Sequence, residues 1–169
     1  MASDKNKATF EAIIQANKGI IYKVVNAYCH RPDDREDLAQ EIMLQLWKSF
    51  GRYNDQYKVS TWMYRIALNV AISFYRKNLA RQQVLVPISE NTAHPANEEP
   101  QNHEQQLALL EQFISELKEL DKALMLLYLE QKGQREIADI LGISASNVST
   151  KIARIKDNLK KKFLTYTPS

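Results

Sequence analysis

Residues 134–156 read Gln134-Arg-Glu-Ile-Ala-Asp-Ile-Leu-Gly142-Ile-Ser144-Ala-Ser-Asn-Val-Ser-Thr-Lys-Ile-Ala-Arg-Ile-Lys156, a helix, a glycine turn and a second helix, in the layout of helix-turn-helix DNA-binding domains. Ile137, Ile140 and Leu141 fall at helical spacing, and Ala138 is small enough to let a second helix cross closely. Gly142 can take the positive φ that the turn requires. Ser144 is placed to cap the second helix through its hydroxyl, after which Ala145, Val148, Ile152, Ile155 and Leu159 recur every three or four residues as one buried face. Ser146, Asn147, Ser149, Thr150, Lys151 and Arg154 are then the candidates for duplex DNA, short polar groups suiting base edges in a major groove and the basic ones phosphates. An ordinary helical hairpin with a solvated outer face is the competing reading.

Outward from this stretch, charge is unevenly distributed. Between Lys151 and Lys162 six basic residues stand against the single acidic Asp157, a surface suited to phosphates. From Gln82 to Gln106 there is no Lys or Arg, and four glutamates and three prolines occur. Such a segment cannot bury enough surface to offset its ordering entropy. A flexible acidic linker is therefore expected over 82–104, between a helical domain at 8–81 and a helix-turn-helix domain at 105–165.

The whole chain has 169 residues, 44% of them apolar, with only four glycines and five prolines. An all-α fold of two small helical domains follows. No stretch of about 18 apolar residues is present and the N-terminus lacks the pattern of a signal peptide, so a soluble cytoplasmic protein without membrane insertion is expected. Cys29 is the only cysteine, and with His30, His94 and His103 it forms no ligand-like spacing, so neither a metal nor a cofactor is expected. The net charge of +3 is mild, which leaves nucleic-acid contact to local clusters. No glycine-rich phosphate loop or nucleophile motif appears, which argues against an enzyme.

Three helical segments are expected in the first domain. Phe10, Ile13, Ile14, Ile20, Ile21, Val24, Val25 and Tyr28 keep a helical period, with Gly19 a candidate kink. A second helix, capped by Asp33 or Asp34, runs to Phe50; Leu38, Ala39, Ile42, Met43, Leu46, Trp47 and Phe50 share one arc. Leu44 instead falls on the polar arc beside Asp37, Gln40 and Glu41, as on a protein-binding surface or on a solvated face with one stray leucine.

The third segment, Lys58 to Lys77, buries Met63, Ile66, Ala67, Val70, Ala71 and Phe74 on its projection and lines up Trp62, Arg65, Asn69, Ser73 and Arg76 elsewhere. Rings and guanidinium planes can stack on unpaired bases, the Asn69 amide can read a base edge, and Arg76, Lys77 and Arg81 can hold a backbone. A structural tryptophan on a basic helix is the alternative.

Taken in order, Asp34-Arg35-Glu36-Asp37-Leu38-Ala39-Gln40-Glu41, Ser60-Thr61-Trp62-Met63-Tyr64-Arg65-Ile66-Ala67-Leu68-Asn69 and Glu136-Ile137-Ala138-Asp139-Ile140-Leu141-Gly142-Ile143-Ser144 resemble the extracytoplasmic-function sigma factors of the sigma-70 family. The resemblance implies a transcription initiation factor that binds bacterial RNA polymerase core, recognises two upstream promoter elements and promotes melting. It places Asp37, Leu38, Gln40, Glu41 and Leu44 on the clamp helices of the largest subunit, and Trp62, Arg65, Asn69, Ser73, Arg76 and Lys77 on unpaired promoter DNA. It also seats the C-terminal domain on duplex and on the polymerase flap, and it makes an anti-sigma factor a candidate partner. The chain departs from the family pattern at Ser73-Phe74-Tyr75-Arg76, at Gln134-Arg135, and at Leu120-Asp121, where a proline often follows the leucine. A helix-turn-helix regulator with a helical sensing or dimerisation domain is the alternative.

Overall fold

The computed structural model describes residues 2–53, 56–84 and 103–166, which are helical and contain no strand among the described residues. Among the described residues seven helices follow one another: α1 (Ala2–Tyr28), α2 (Pro32–Phe50), α3 (Val59–Val84), α4 (His103–Ser115), α5 (Glu119–Leu129), α6 (Gln134–Leu141) and α7 (Ala145–Tyr166). Most of the linker expected over 82–104, with His94, lies outside the described residues. At its ends α3 continues to Val84 and α4 already begins at His103.

Helices α1, α2 and α3 pack mutually. They bury Phe10, Ile14, Ile21, Val24 and Val25 of α1, Leu38, Ile42 and Leu46 of α2, and Met63, Ala67 and Ala71 of α3. Burying a side chain of this size stabilises by about 1.5–3 kcal/mol, and these apolar stripes hold the three helices together. The irregularity in α1 falls at Asn17 (φ −125°, ψ 19°) and not at Gly19. There the Asn17 side-chain amide donates to the Ile13 carbonyl at 2.9 Å, serving a backbone acceptor that the kink affects.

Helix α2 begins one residue before the expected aspartate cap. Arg31 is its N-cap without a side-chain capping bond, and Pro32 opens the helix with its φ already suited to the first turn. Asp33 and Asp34 instead lie inside the first turn, where their charge favours the positive end of the helix dipole. Trp47, expected on the buried arc, is 43% exposed, with one edge of its ring against Phe10 at 5.1 Å.

In the C-terminal part the helix-turn-helix forms as expected. Gly142 adopts φ +71°, and its amide and that of Ile143 both donate to the Ala138 carbonyl, closing α6. The Ser144 hydroxyl accepts from the Asn147 amide at 3.2 Å and caps α7. Val148, Ile155 and Leu159 are buried against α5 and α6, with Ala145 and Ile152 half-buried. Helix α5 is apolar on all sides over Ala123–Leu129 and has several neighbours: it packs on α4, α6 and α7, and also on α1 and α3, while Tyr128 and Leu129 at its end stay exposed. The two halves thus share one continuous core.

Candidate nucleic-acid interface

Helices α2 and α3 run beside each other and leave an open groove of about 620 Å³ between them. From α2 it is lined by Asp37, Glu41, Gln45 and Ser49, and from α3 by Asn69, Ser73 and Lys77, over an apolar floor of Ile66, Val70 and Phe74. Three of the residues expected to bury, Ile66, Val70 and Phe74, are therefore only half-buried. The floor can accept a flat apolar face while amide, hydroxyl and ammonium groups meet polar edges. Within α2 the Gln45 amide donates to Glu41 at 3.2 Å, and Asp37 and Glu41 remain exposed.

The expected partner-binding residues of α2 separate in two. Asp37, Gln40, Glu41 and Leu44 are exposed, and Leu44 is 44% accessible on that polar face. Leu38 is not available: it is 0% exposed, one of the residues that hold α2 in the core. Its position one residue after Asp37 turns it about 100° around the helix, off the exposed face.

On α3, Trp62 is half-buried and not a free stacking ring. Tyr53 lies 4.9 Å and Phe50 6.2 Å from it, centre to centre. This brace fixes the indole at the end of the α2–α3 unit and leaves part of it accessible. Arg65 is exposed, with its guanidinium 5.6 Å from the centre of the Tyr57 ring. Arg76 is exposed but engaged: its Nε donates to the Glu119 carboxylate of α5 at 2.8 Å, which holds that carboxyl below its ordinary range. Arg81 has no described side chain.

On α7, Ser146, Asn147, Thr150 and Arg154 are exposed on a common side, with Lys151 half-buried beside them. The Thr150 hydroxyl donates to the Ser146 carbonyl at 3.0 Å. Ser149 departs from this group. It lines a second groove between α5, α6 and α7 with Tyr128, Lys132, Ile152, Lys156 and Lys160, where the Lys156 ammonium sits 4.4 Å from the Tyr128 ring centre.

A set of polar residues at the meeting of the two halves escaped the sequence reading. Thr61 donates to Glu136 at 3.0 Å, Lys23 pairs with Glu130 at 2.6 Å, and the Tyr28 hydroxyl donates to the Glu119 carbonyl. Lys122 is 1% exposed, its ammonium 4.7 Å and 5.4 Å from the Tyr75 and Tyr28 ring centres. Burial pushes its pKa down, against the opposing pull of Cys29 and Glu119. The same enclosure raises the Tyr28 hydroxyl, where the Glu119 charge adds to the effect of burial, and burial raises the Cys29 thiol to about 11. The available signal was the aspartate and lysine following Leu120, ahead of a run apolar on every side.

Among the described residues no group of His, Cys, Asp and Glu could hold a metal ion, and no helix is long and apolar enough to cross a membrane.

Two family models cover most of the described helices: sigma-70 region 2 matches residues 13–81 and sigma-70 region 4 matches residues 107–159. The chain belongs to the sigma-70 family of RNA polymerase sigma factors, in its extracytoplasmic-function group. It is 27% identical over 163 residues to the ECF RNA polymerase sigma factor SigW of Bacillus subtilis (strain 168), covering 90% of this chain and 87% of that one. The RNA polymerase sigma factor YlaC of the same organism is 26% identical over 136 residues, 78% of this chain and 79% of the relative. Among solved structures, CnrH in complex with the cytosolic domain of CnrY superposes with a TM-score of 0.70 at 17% identity, over 98% of this chain and 94% of the other. That likeness is one of fold. As a sigma factor the chain acts in transcription initiation, with RNA polymerase core and promoter DNA as its partners.

Proposed function

We propose that this sigma factor divides its work among three surfaces. Asp37, Gln40, Glu41 and Leu44 of α2 dock on the clamp helices of the largest polymerase subunit, an acidic face with one apolar knob against a basic or polar partner. Trp62, Arg65, Asn69, Ser73, Arg76 and Lys77 hold the unpaired strand of the nearer promoter element, by stacking, base-edge hydrogen bonding and phosphate contact. Ser146, Asn147 and Thr150 read the farther element as duplex, while Lys151 and Arg154 bind its phosphates and the C-terminal domain rests on the flap.

In this reading residues 8–81 form the core-binding and melting domain and 105–165 the duplex-reading domain. The factor works in the cytoplasm beside the polymerase, makes no chemical bond itself and releases the core during elongation. An anti-sigma protein is a fitting further partner.

The observation that carries the proposal is the α2–α3 groove, in which carboxylates of the clamp-binding face and the Asn69 amide converge over an apolar floor. A regulator that only binds duplex has no use for that combination next to a braced tryptophan. The test mixes purified protein with bacterial core polymerase and linear promoter templates. Promoter-directed transcripts with an opened start region are expected; duplex binding without any opening, with every core enzyme tried, would return the chain to the plain regulators.

A further inference from the structure

The groove between α2 and α3 is lined by two residues that none of the three surfaces above uses, Gln45 and Ser49. They continue the stripe of Asp37 and Glu41 by one turn and by two, since residues four apart on a helix share a face. Their hydrogen bonds decide what they offer a guest. The Ser49 hydroxyl has one proton and gives it to the Gln45 carbonyl at 2.7 Å, so that only its lone pairs remain. The Gln45 side chain meets the Glu41 carboxylate at 3.2 Å, and because a carboxylate accepts, the amide nitrogen is the atom spent there. The Gln45 amide oxygen receives no donor among the described residues.

The α2 wall of the groove is therefore rich in acceptors. The α3 wall is richer in donors, because Lys77 has donors only, while Asn69 and Ser73 have both kinds. A flat ring lying on the apolar floor meets acceptors on one side and donors on the other. Adenine and cytosine suit this arrangement, each with an exocyclic amine that donates and a ring nitrogen beside it that accepts. Thymine carries a carbonyl oxygen in place of that amine and would turn lone pairs toward lone pairs. Resting on the single-strand contact proposed above, we propose that Gln45 and Ser49 are specificity-determining residues, through which the groove selects an unpaired adenine or cytosine against thymine. Asp37 and Glu41 belong to the proposed clamp-docking face, so Gln45 and Ser49 carry this readout.

The probes are labelled ten-nucleotide oligothymidylates with one central nucleotide changed to dC, to dA, or to the deoxynucleotide of pyrimidin-2-one, which is cytosine without its amino group. Binding to the factor assembled with bacterial core polymerase is read by fluorescence anisotropy, with core polymerase alone as background. The quantity compared is the affinity for the dC probe divided by that for the pyrimidinone probe, in which a general gain or loss of charge or of folded protein cancels. Gln45→Glu leaves acceptors only at this position, and Gln45→Lys leaves donors only. Both replacements are good helix formers, and Gln45 is half-buried.

The wild type should favour the dC probe over the pyrimidinone probe roughly three- to tenfold, and the dA and dC probes over oligothymidylate by a similar factor. Gln45→Glu should raise the ratio, Gln45→Lys should bring it to about one or below, and Ser49→Ala should lower it. A wild-type ratio of one, or movement of Gln45→Glu and Gln45→Lys in the same direction, would overturn the acceptor wall. Asn69→Ala tests the underlying function separately and should weaken binding of the dC and dA probes. If it binds every probe as the wild type does, or if no probe binds above core polymerase alone, the single-strand surface fails and this specificity fails with it.

Discussion

Asp37 of α2 and Asn69 of α3 line the same groove, 32 positions apart in the chain and brought together by the packing of their helices. The proposed polymerase-docking face and the proposed base-capturing face are therefore continuous, and a partner seated on one borders the other. Their contributions nevertheless separate experimentally, because in the proposed function the carboxylates and the amide serve different partners at different stages of initiation.

Charge reversal at Asp37 and Glu41 together should reduce core binding at least tenfold while leaving the fold intact, since both side chains are exposed. Co-elution with core polymerase on gel filtration and a thermal melt check the two halves of this statement. Leu38→Ala, by contrast, should cost about 2–5 kcal/mol of stability, because Leu38 is fully buried. Core binding of the double mutant at wild-type affinity would exclude the α2 face as the docking surface.

Asn69→Ala should leave core binding and closed-duplex binding intact and reduce open promoter roughly 5-fold to 150-fold, the equivalent of about 1–3 kcal/mol for one captured base. A template with a pre-melted bubble should restore part of the transcription. Trp62→Ala is the less clean probe, since removing the ring also undoes its packing on Tyr53 and Phe50. Permanganate footprinting of the start region measures both; wild-type opening by folded Asn69→Ala would rule out base capture there.

Replacing Arg154 or Lys151 should weaken duplex binding on all sequences and reduce the salt slope by about 1 for each lost phosphate contact. Changing Ser146, Asn147 or Thr150 should instead alter which bases are preferred. Selection from a randomised duplex library separates the two groups. Ser149→Ala should leave the selected motif unchanged, as its side chain lines the groove beside Tyr128 and Lys132.

Two turns predict opposite stability changes. Gly142 holds φ +71° with open space where a Cβ would stand, so Gly142→Ala should cost about 1–2 kcal/mol from backbone conformation alone. Gln131 also has a positive φ, 60°, after α5, where the Lys132 amide returns to the Leu127 carbonyl at 3.1 Å. There Gln131→Gly should stabilise by up to about 1 kcal/mol. Urea unfolding midpoints of the two variants should move to opposite sides of the wild type; the same direction for both would contradict these turn assignments.

Local pattern determined the helices and most of their faces. Ser144, Gly142 and the spacing of Val148, Ile155 and Leu159 specify α6 and α7 because capping, left-handed turns and helical periodicity involve residues within a few positions of one another. The exposure of Asp37, Glu41 and Leu44 followed from the same projection. What one helix projected alone cannot contain is a second neighbour. Helix α3 is packed by α1 and α2 and again by α5 and α6, so Thr61, Tyr64 and Leu68 are buried as well as Met63, Ala67 and Ala71. Only tertiary packing placed Lys122 between two tyrosines, gave Arg76 to Glu119 and braced Trp62 on Tyr53 and Phe50. Lys122 reads locally as a solvated charge, and its burial depends on rings that lie 47 and 94 residues away in the chain, a distance over which helical periodicity carries no information.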